Sequence, residues 1–138
     1  LDSLIGAEGA IGFDNLMHYY DPKMSDHPLA EALHLHMGNP KKINHPYYAL
    51  GDEGLFATCI DLGMQPGVTA TNAGFYAPQG RHLRTQKVVD YDNHHLSQFE
   101  YNNSVITNLD METAGIYGLS RVLGHKAISI SAILSLFI

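Results

Sequence analysis

Asn108-Leu109-Asp110-Met111-Glu112-Thr113 joins a β-rich stretch to an apolar helical pattern, and the reading of that junction decides the fold. Upstream, residues 99–108 read as a hairpin turning near Asn102-Asn103, because Asn tolerates the positive φ that tight hairpin turns require. Downstream, residues 111–123 read as a helix with Ile116, Leu119 and Leu123 on one face and Gly124 at its stop. A strand that runs directly into a helix belongs to α/β architecture, where binding side chains collect at the strand ends. The two carboxylates bracketing Met111 have two readings. They can accept hydrogen bonds from the hydroxyls of a sugar while the thioether covers its apolar face, or they can serve the helix dipole with no ligand at all.

Working outward, residues 2–13 read as a strand with Gly6 and Gly9 as candidate bend points, and residues 14–20 as a turn or the start of a helix. Residues 21–46, which carry His27, His34, His36 and His45, read as a surface excursion with one helix over 28–36. Asp52 and Glu53 open a second helix, with Leu55, Phe56, Cys59 and Ile60 sharing a face and Gly63 closing it. A strand follows over 67–75, then a polar loop with a short helix over 76–97, and a last strand lies within 127–138. The order predicts an α/β domain with a mixed central β-sheet flanked by helices.

With 138 residues, 45% of them hydrophobic, the chain is long enough for one domain, 1–138, with its own core. A net charge of −6, with eight Lys and Arg and no basic cluster beyond Lys41-Lys42, argues against nucleic acid as the main partner. Small molecules fit better. The lone Cys59 excludes an intrachain disulfide, fits a reducing cytoplasm, and reads as a buried thiol from its apolar flanks. The run 127–138 falls short of the ~18 apolar residues a membrane span needs, so no membrane partner is expected. Because the chain opens at Leu1 inside an apolar segment and closes inside another, it reads as part of something longer.

The exit of the strand over 67–75 carries the second functional signal, Phe75-Tyr76-Ala77-Pro78-Gln79-Gly80-Arg81. A Gln amide sets a donor beside an acceptor, matching the imide N3–H and adjacent carbonyl of a pyrimidine, and an Arg two residues on can reach the same carbonyl edge. Phe75 is placed to stack on or wall off the sugar. Alone, Pro-Gln-Gly-Arg also reads as a plain turn with a solvated Arg.

Together the two segments resemble the nucleoside phosphorylase family, in particular its uridine phosphorylase branch. The resemblance rests on Gly67-Val68-Thr69-Ala70-Thr71 running into 75–81, on Asn108 through Tyr117, on Gly124-His125-Lys126-Ala127, and on Ser129-Ile130-Ser131-Ala132-Ile133. It covers nearly the whole chain and implies the C-terminal portion of a phosphorylase domain whose N-terminal part is missing. It further implies that Gln79 and Arg81 recognise uracil, Arg81 also stabilising the leaving base, with Phe75 beside the nucleoside and Ile133 and Leu134 lining the base pocket. Met111 and Glu112 would hold the ribose, Glu112 at the 2′-hydroxyl. Asp110 stands where the motif more often has Glu, and its shorter reach makes it a supporting ribose residue. The implied co-substrate is phosphate, with no metal or organic cofactor, and the implied assembly is a cytoplasmic homodimer or hexamer.

The family's phosphate ligands come from an early Gly-rich loop, an Arg of the neighbouring subunit, and an Arg with a downstream Thr on a strand that would precede Leu1. The chain's Arg81, Arg84 and Arg121 match none of them. After Ile133-Leu134 the family continues toward an Asn-Arg pair, but here Ser135-Leu136-Phe137-Ile138 follows. Competing readings are a purine nucleoside phosphorylase or a nucleosidase, a non-catalytic nucleoside-binding fragment, and a metal module built on His34-x-His36.

Overall fold

The computed structural model describes residues 3–38, 40, 41, 43–85 and 93–134. Lys42 and the segment Ser135 to Ile138 lie outside these. The first strand, β1 (Leu4–Gly12), pairs in parallel with β3 (Gln65–Thr71), which pairs in parallel with β5 (Ser104–Asp110). The other edge of β1 is shared: β2 (Tyr47–Leu50) runs antiparallel to residues 9–12, and β6 (Ile130–Ala132) antiparallel to residues 4–6. The short strand β4 (Glu100–Tyr101) completes a hairpin with β5. Asn102 and Asn103 form its turn at φ 49 and 66, as the sequence predicts. The sheet is mixed, as expected, and β1 shifts register against β3 between Ala7 and Gly9, beside one of the anticipated bend points.

Small residues let β1 lie at the centre. Successive side chains of a strand face opposite sides, so Ile11 joins one core with Leu29, Leu33, Val68 and Ile106, while Ala10 joins another with Met17, Tyr47, Ala114 and Tyr117. Helix α1 (Pro28–His36) covers the first side through Leu29, Ala30 and Leu33, and α4 (Thr113–Leu123) covers the second. Between them α2 (Glu53–Asp61) starts at the Asp52 cap, whose carboxylate accepts from Leu55 N at 3.0 Å. Gly124 ends α4 at φ 72. The short α3 (Asn93–Ser97) supplies Leu96 to the first core.

The structure corrects several expectations. The strand over 67–75 ends at Thr71, because Asn72 N turns to Asp110 O at 2.9 Å and the chain then leaves the sheet. Both helix faces are reassigned. On α2, Cys59 is buried as expected, but Leu55 and Ile60 stay 37% and 38% exposed. On α4, Ile116 and Leu123 are exposed, and contact is made instead by Ala114, Gly115, Tyr117 and Gly118. Close approach explains the choice: a Cβ on Gly118 would sit 2.5 Å from Met17 Sδ, so any larger residue there requires the buried Met17 side chain to move. Strand β2 was not anticipated; with three of its four residues buried it shows no polar alternation to read.

Two histidines give α1 a pH-dependent hold. His27 Nδ1 caps the helix by accepting Leu29 N at 3.2 Å, and its ring lies 4.6 Å from Tyr48. The His34 ring lies 4.5 Å from that of His45, which in turn contacts Glu31 at 2.8 Å. Burial lowers the pKa of both His27 and His34 below 6.5, with His45 adding to the effect at His34 and Glu31 opposing it. The unfolded chain therefore binds more protons as pH falls through 6.5, so the contribution is present above that pH and is lost toward the folded pKa values. We expect the urea midpoint to drop on acidification through this window. His27→Asn, which keeps a capping acceptor without a titrating ring, should flatten the dependence; an unchanged pH profile in that variant would remove His27 from the account.

Candidate active site at the strand ends

The carboxyl ends of β3 and β5 lie side by side, with Thr71 opposite Asp110, and both motifs leave the sheet there. From β3 the chain passes through an exposed bend to a 3-10 turn at Ala77–Gln79, closed by Gly80 at φ 75. This turn folds Arg81 back. Its Nη1 donates to Phe75 O at 2.9 Å and to Gln79 Oε1, and its guanidinium carbon stands 4.0 Å from the centre of the Phe75 ring. Gln79 is buried at 3% exposure and donates Nε2 to Asp110 O at 3.3 Å. The three expected base-recognising side chains are thus one interlocked unit, tied to the backbone of the expected ribose motif.

Within that motif the two carboxylates separate. Asp110 takes the helix-start role: Oδ1 accepts from Thr71 Oγ1 at 2.6 Å, and Oδ2 accepts from Thr113 N at 3.0 Å and from Thr113 Oγ1. Glu112 occupies the N-cap position of α4 but makes no side-chain cap. Its carboxylate turns back to accept Met111 N at 3.1 Å and remains exposed beside the exposed Met111. Phe75, Arg81, Met111 and Glu112 are exposed, and the two motifs that carry them are tied by the bond from the buried Gln79 to Asp110 O.

Ile133 and Leu134 are placed differently. Ile133 N donates to Ser3 O at 3.0 Å at the entrance to β1, and Leu134 is 87% exposed, so neither is joined to the Gln79 and Arg81 unit in this structure. Sequence reasoning also missed residues that the structure builds into the junction. Thr71 and Thr113, at 0% and 2% exposure, hold Asp110. On the helix side, Tyr47 lies buried beside Asp14, and burial pushes its phenol upward, Asp14 and Asp110 adding to the effect. Tyr117 donates to Ala7 O and accepts from Ser129 N, each at 2.7 Å, and burial pushes its phenol up to about 12. Threonine and tyrosine in a strand or on a core face look like ordinary packing residues, so only the spacing of Asp110 and Thr113, three apart at a helix start, was a usable signal.

Among the described residues, no group of three or more His, Cys, Asp and Glu is arranged to hold a metal ion. His34 and His36 are two positions apart on α1, about 200° around its axis, and they face different partners: the His45 ring and, at 2.8 Å, His95 O. A recess of about 630 Å³ opens elsewhere, lined by Glu8, Asp52, Tyr117 and Arg121 among others. Two of its acids are engaged, Glu8 by Ser104 Oγ at 2.9 Å and Asp52 by its cap and Lys126. No helix among the described residues is long and apolar enough to cross a membrane.

The fold has a counterpart among solved proteins. A nucleoside phosphorylase of Trypanosoma brucei, described as showing uridine phosphorylase activity, superposes with a TM-score of 0.77 at 25% identity over 97% of this chain. The protein has a nucleoside phosphorylase fold. Its chain spans about half, 49%, of the length of that phosphorylase. No protein-family model and no curated protein matches it significantly.

Proposed function

We propose that the protein serves phosphorolysis of a pyrimidine nucleoside, uridine first among them, to free base and ribose 1-phosphate. The observation that carries this reading is the Gln79 amide, held between Arg81 and the Asp110 carbonyl. A carbonyl oxygen has two lone pairs and an amide nitrogen two protons, so beyond these two bonds the buried Gln79 amide has one acceptor site and one proton, the pair that a uracil N3–H and its adjacent carbonyl would take. The similarity to a phosphorylase with uridine phosphorylase activity supports the same reading. In the reaction a phosphate oxygen bonds to C1′ as the C1′–N1 bond breaks; the electron pair enters the uracil ring, and a proton from water completes the free base. Sugar and phosphate must be aligned through a ribosyl cation-like state, which places the demand on positioning and on stabilising the departing anion. Phosphate is the co-substrate and comes to ligands beyond the motifs of this chain, in keeping with a shared site in a homo-oligomer.

Uridine and inosine, each given to the complete protein with and without phosphate, decide the reading. Phosphate-dependent uridine cleavage supports it, inosine preference assigns a purine enzyme, and cleavage without phosphate assigns a nucleosidase. The ribose role of Glu112 has its own test. Glu112→Gln keeps shape but weakens a charge-assisted hydrogen bond, an expected loss of about 1–3 kcal/mol for uridine and little for 2′-deoxyuridine. An equal effect on both nucleosides removes Glu112 from the 2′-hydroxyl.

A further inference from the structure

We propose that Asp110 is a positioning residue that keeps the base-reading and ribose-reading side chains in register, acting through Thr71 and Thr113 without touching the ligand; this rests on the two strand-end motifs being a nucleoside site. Three donors converge on its carboxylate: the Thr71 hydroxyl on Oδ1, and the Thr113 amide and hydroxyl on Oδ2. Thr71 gives its one proton to Asp110 and accepts Ala114 N at 2.9 Å, so the same hydroxyl also secures the next amide of the helix. Thr113, its proton spent on Asp110, accepts from Ser129 Oγ at 3.0 Å. The main chain of Asp110 faces the other subsite, its carbonyl receiving Asn72 N at 2.9 Å and Gln79 Nε2 at 3.3 Å.

One residue thus holds Gln79 through its carbonyl and, through its side chain, the first turn of the helix that Glu112 precedes. The Thr71 and Thr113 donors are buried, which limits competition from water at the partly buried carboxylate. A carboxylate accepts at both oxygens and so takes all three donors at once, whereas an Asn amide keeps one such oxygen and its NH2 is met only if the Thr71 hydroxyl turns from donor to acceptor. Thr71 is fully buried with its hydroxyl taken up by Asp110 and Ala114 N, which separates positioning from contact experimentally.

Calorimetric titration of the protein with uridine and with uracil tests the proposal. Thr71→Val should weaken uridine roughly tenfold and leave uracil nearly unchanged, and Thr71→Ser, which restores the hydroxyl, should recover uridine binding. Asp110→Asn and Glu112→Gln should be non-additive for uridine, since both act on one subsite. Wild-type uridine binding by Thr71→Val, or strict additivity of the pair, overturns the proposal. If the unmodified protein binds neither ligand, the nucleoside reading falls, and amide exchange still judges the tie. Thr113 and Ala114 should exchange faster than the rest of α4 in Thr71→Val and Asp110→Asn, and unchanged exchange at those two amides overturns the positioning role.

Discussion

Arg81→Ala is expected to lower uridine phosphorolysis by on the order of 10²-fold or more, with a smaller loss of nucleoside affinity. The guanidinium offers five N–H donors, and the bonds to Phe75 O and Gln79 Oε1 engage Nη1. These bonds and the Phe75 ring preorganise the group before substrate arrives, so its remaining donors need no rearrangement as charge develops on the base. Arg81→Lys should fail to restore turnover, because an ammonium is a point charge and cannot hold Phe75 O and Gln79 while also meeting a ring carbonyl. Steady-state kinetics of the complete enzyme with uridine and phosphate check both variants. Near-normal turnover in Arg81→Ala would remove Arg81 as the stabiliser of the leaving base.

The largest effect on stability is expected from Gly12→Ala. An added Cβ would lie 2.2 Å from Tyr47 Cζ and 2.3 Å from Cε1, and Tyr47 is fully buried across from Gly12 in the antiparallel β1–β2 pair. The obstacle is a ring inside a core with Ala10, Met17 and Tyr117, so it has little room to swing aside. Overpacking of this kind costs about 1–3 kcal/mol and sometimes more, offset in part by the ~0.5–1 kcal/mol that exchanging Gly for Ala gains in backbone entropy. A net loss of about 1–2 kcal/mol corresponds to a fall in Tm of roughly 3–8 °C for a domain of this size. Combining the substitution with Tyr47→Ala should make the losses less than additive, since the clash disappears. An unchanged Tm for Gly12→Ala would contradict the register of β1 and β2.

Local rules explain which elements were legible. The helix over 28–36, the Asp52 start of α2, the Asn102-Asn103 turn and the Gly124 stop each depend on one or two residues whose own conformational preferences decide the outcome. Periodicity was less informative about packing: it found apolar stripes on α2 and α4 but not which stripe meets the sheet. That choice depended on where glycine and alanine permit close approach, a property of two surfaces together. Strand β2, short and buried on both sides, had no pattern to display.

The candidate site divides along the same line. Phe75, Gln79, Arg81, Met111 and Glu112 were recognisable from the chemistry of short motifs, each readable within a few residues of its neighbours. By itself the sequence determined an α/β order, the two motifs and the acidic pair that serves either as a cap or as a sugar clamp. Only the tertiary structure divided that pair, giving the helix start to Asp110 and leaving Glu112 exposed. The reason is distance along the chain: Thr71 and Asp110 are 39 residues apart, and the parallel register of β3 and β5 alone brings that hydroxyl to that carboxylate.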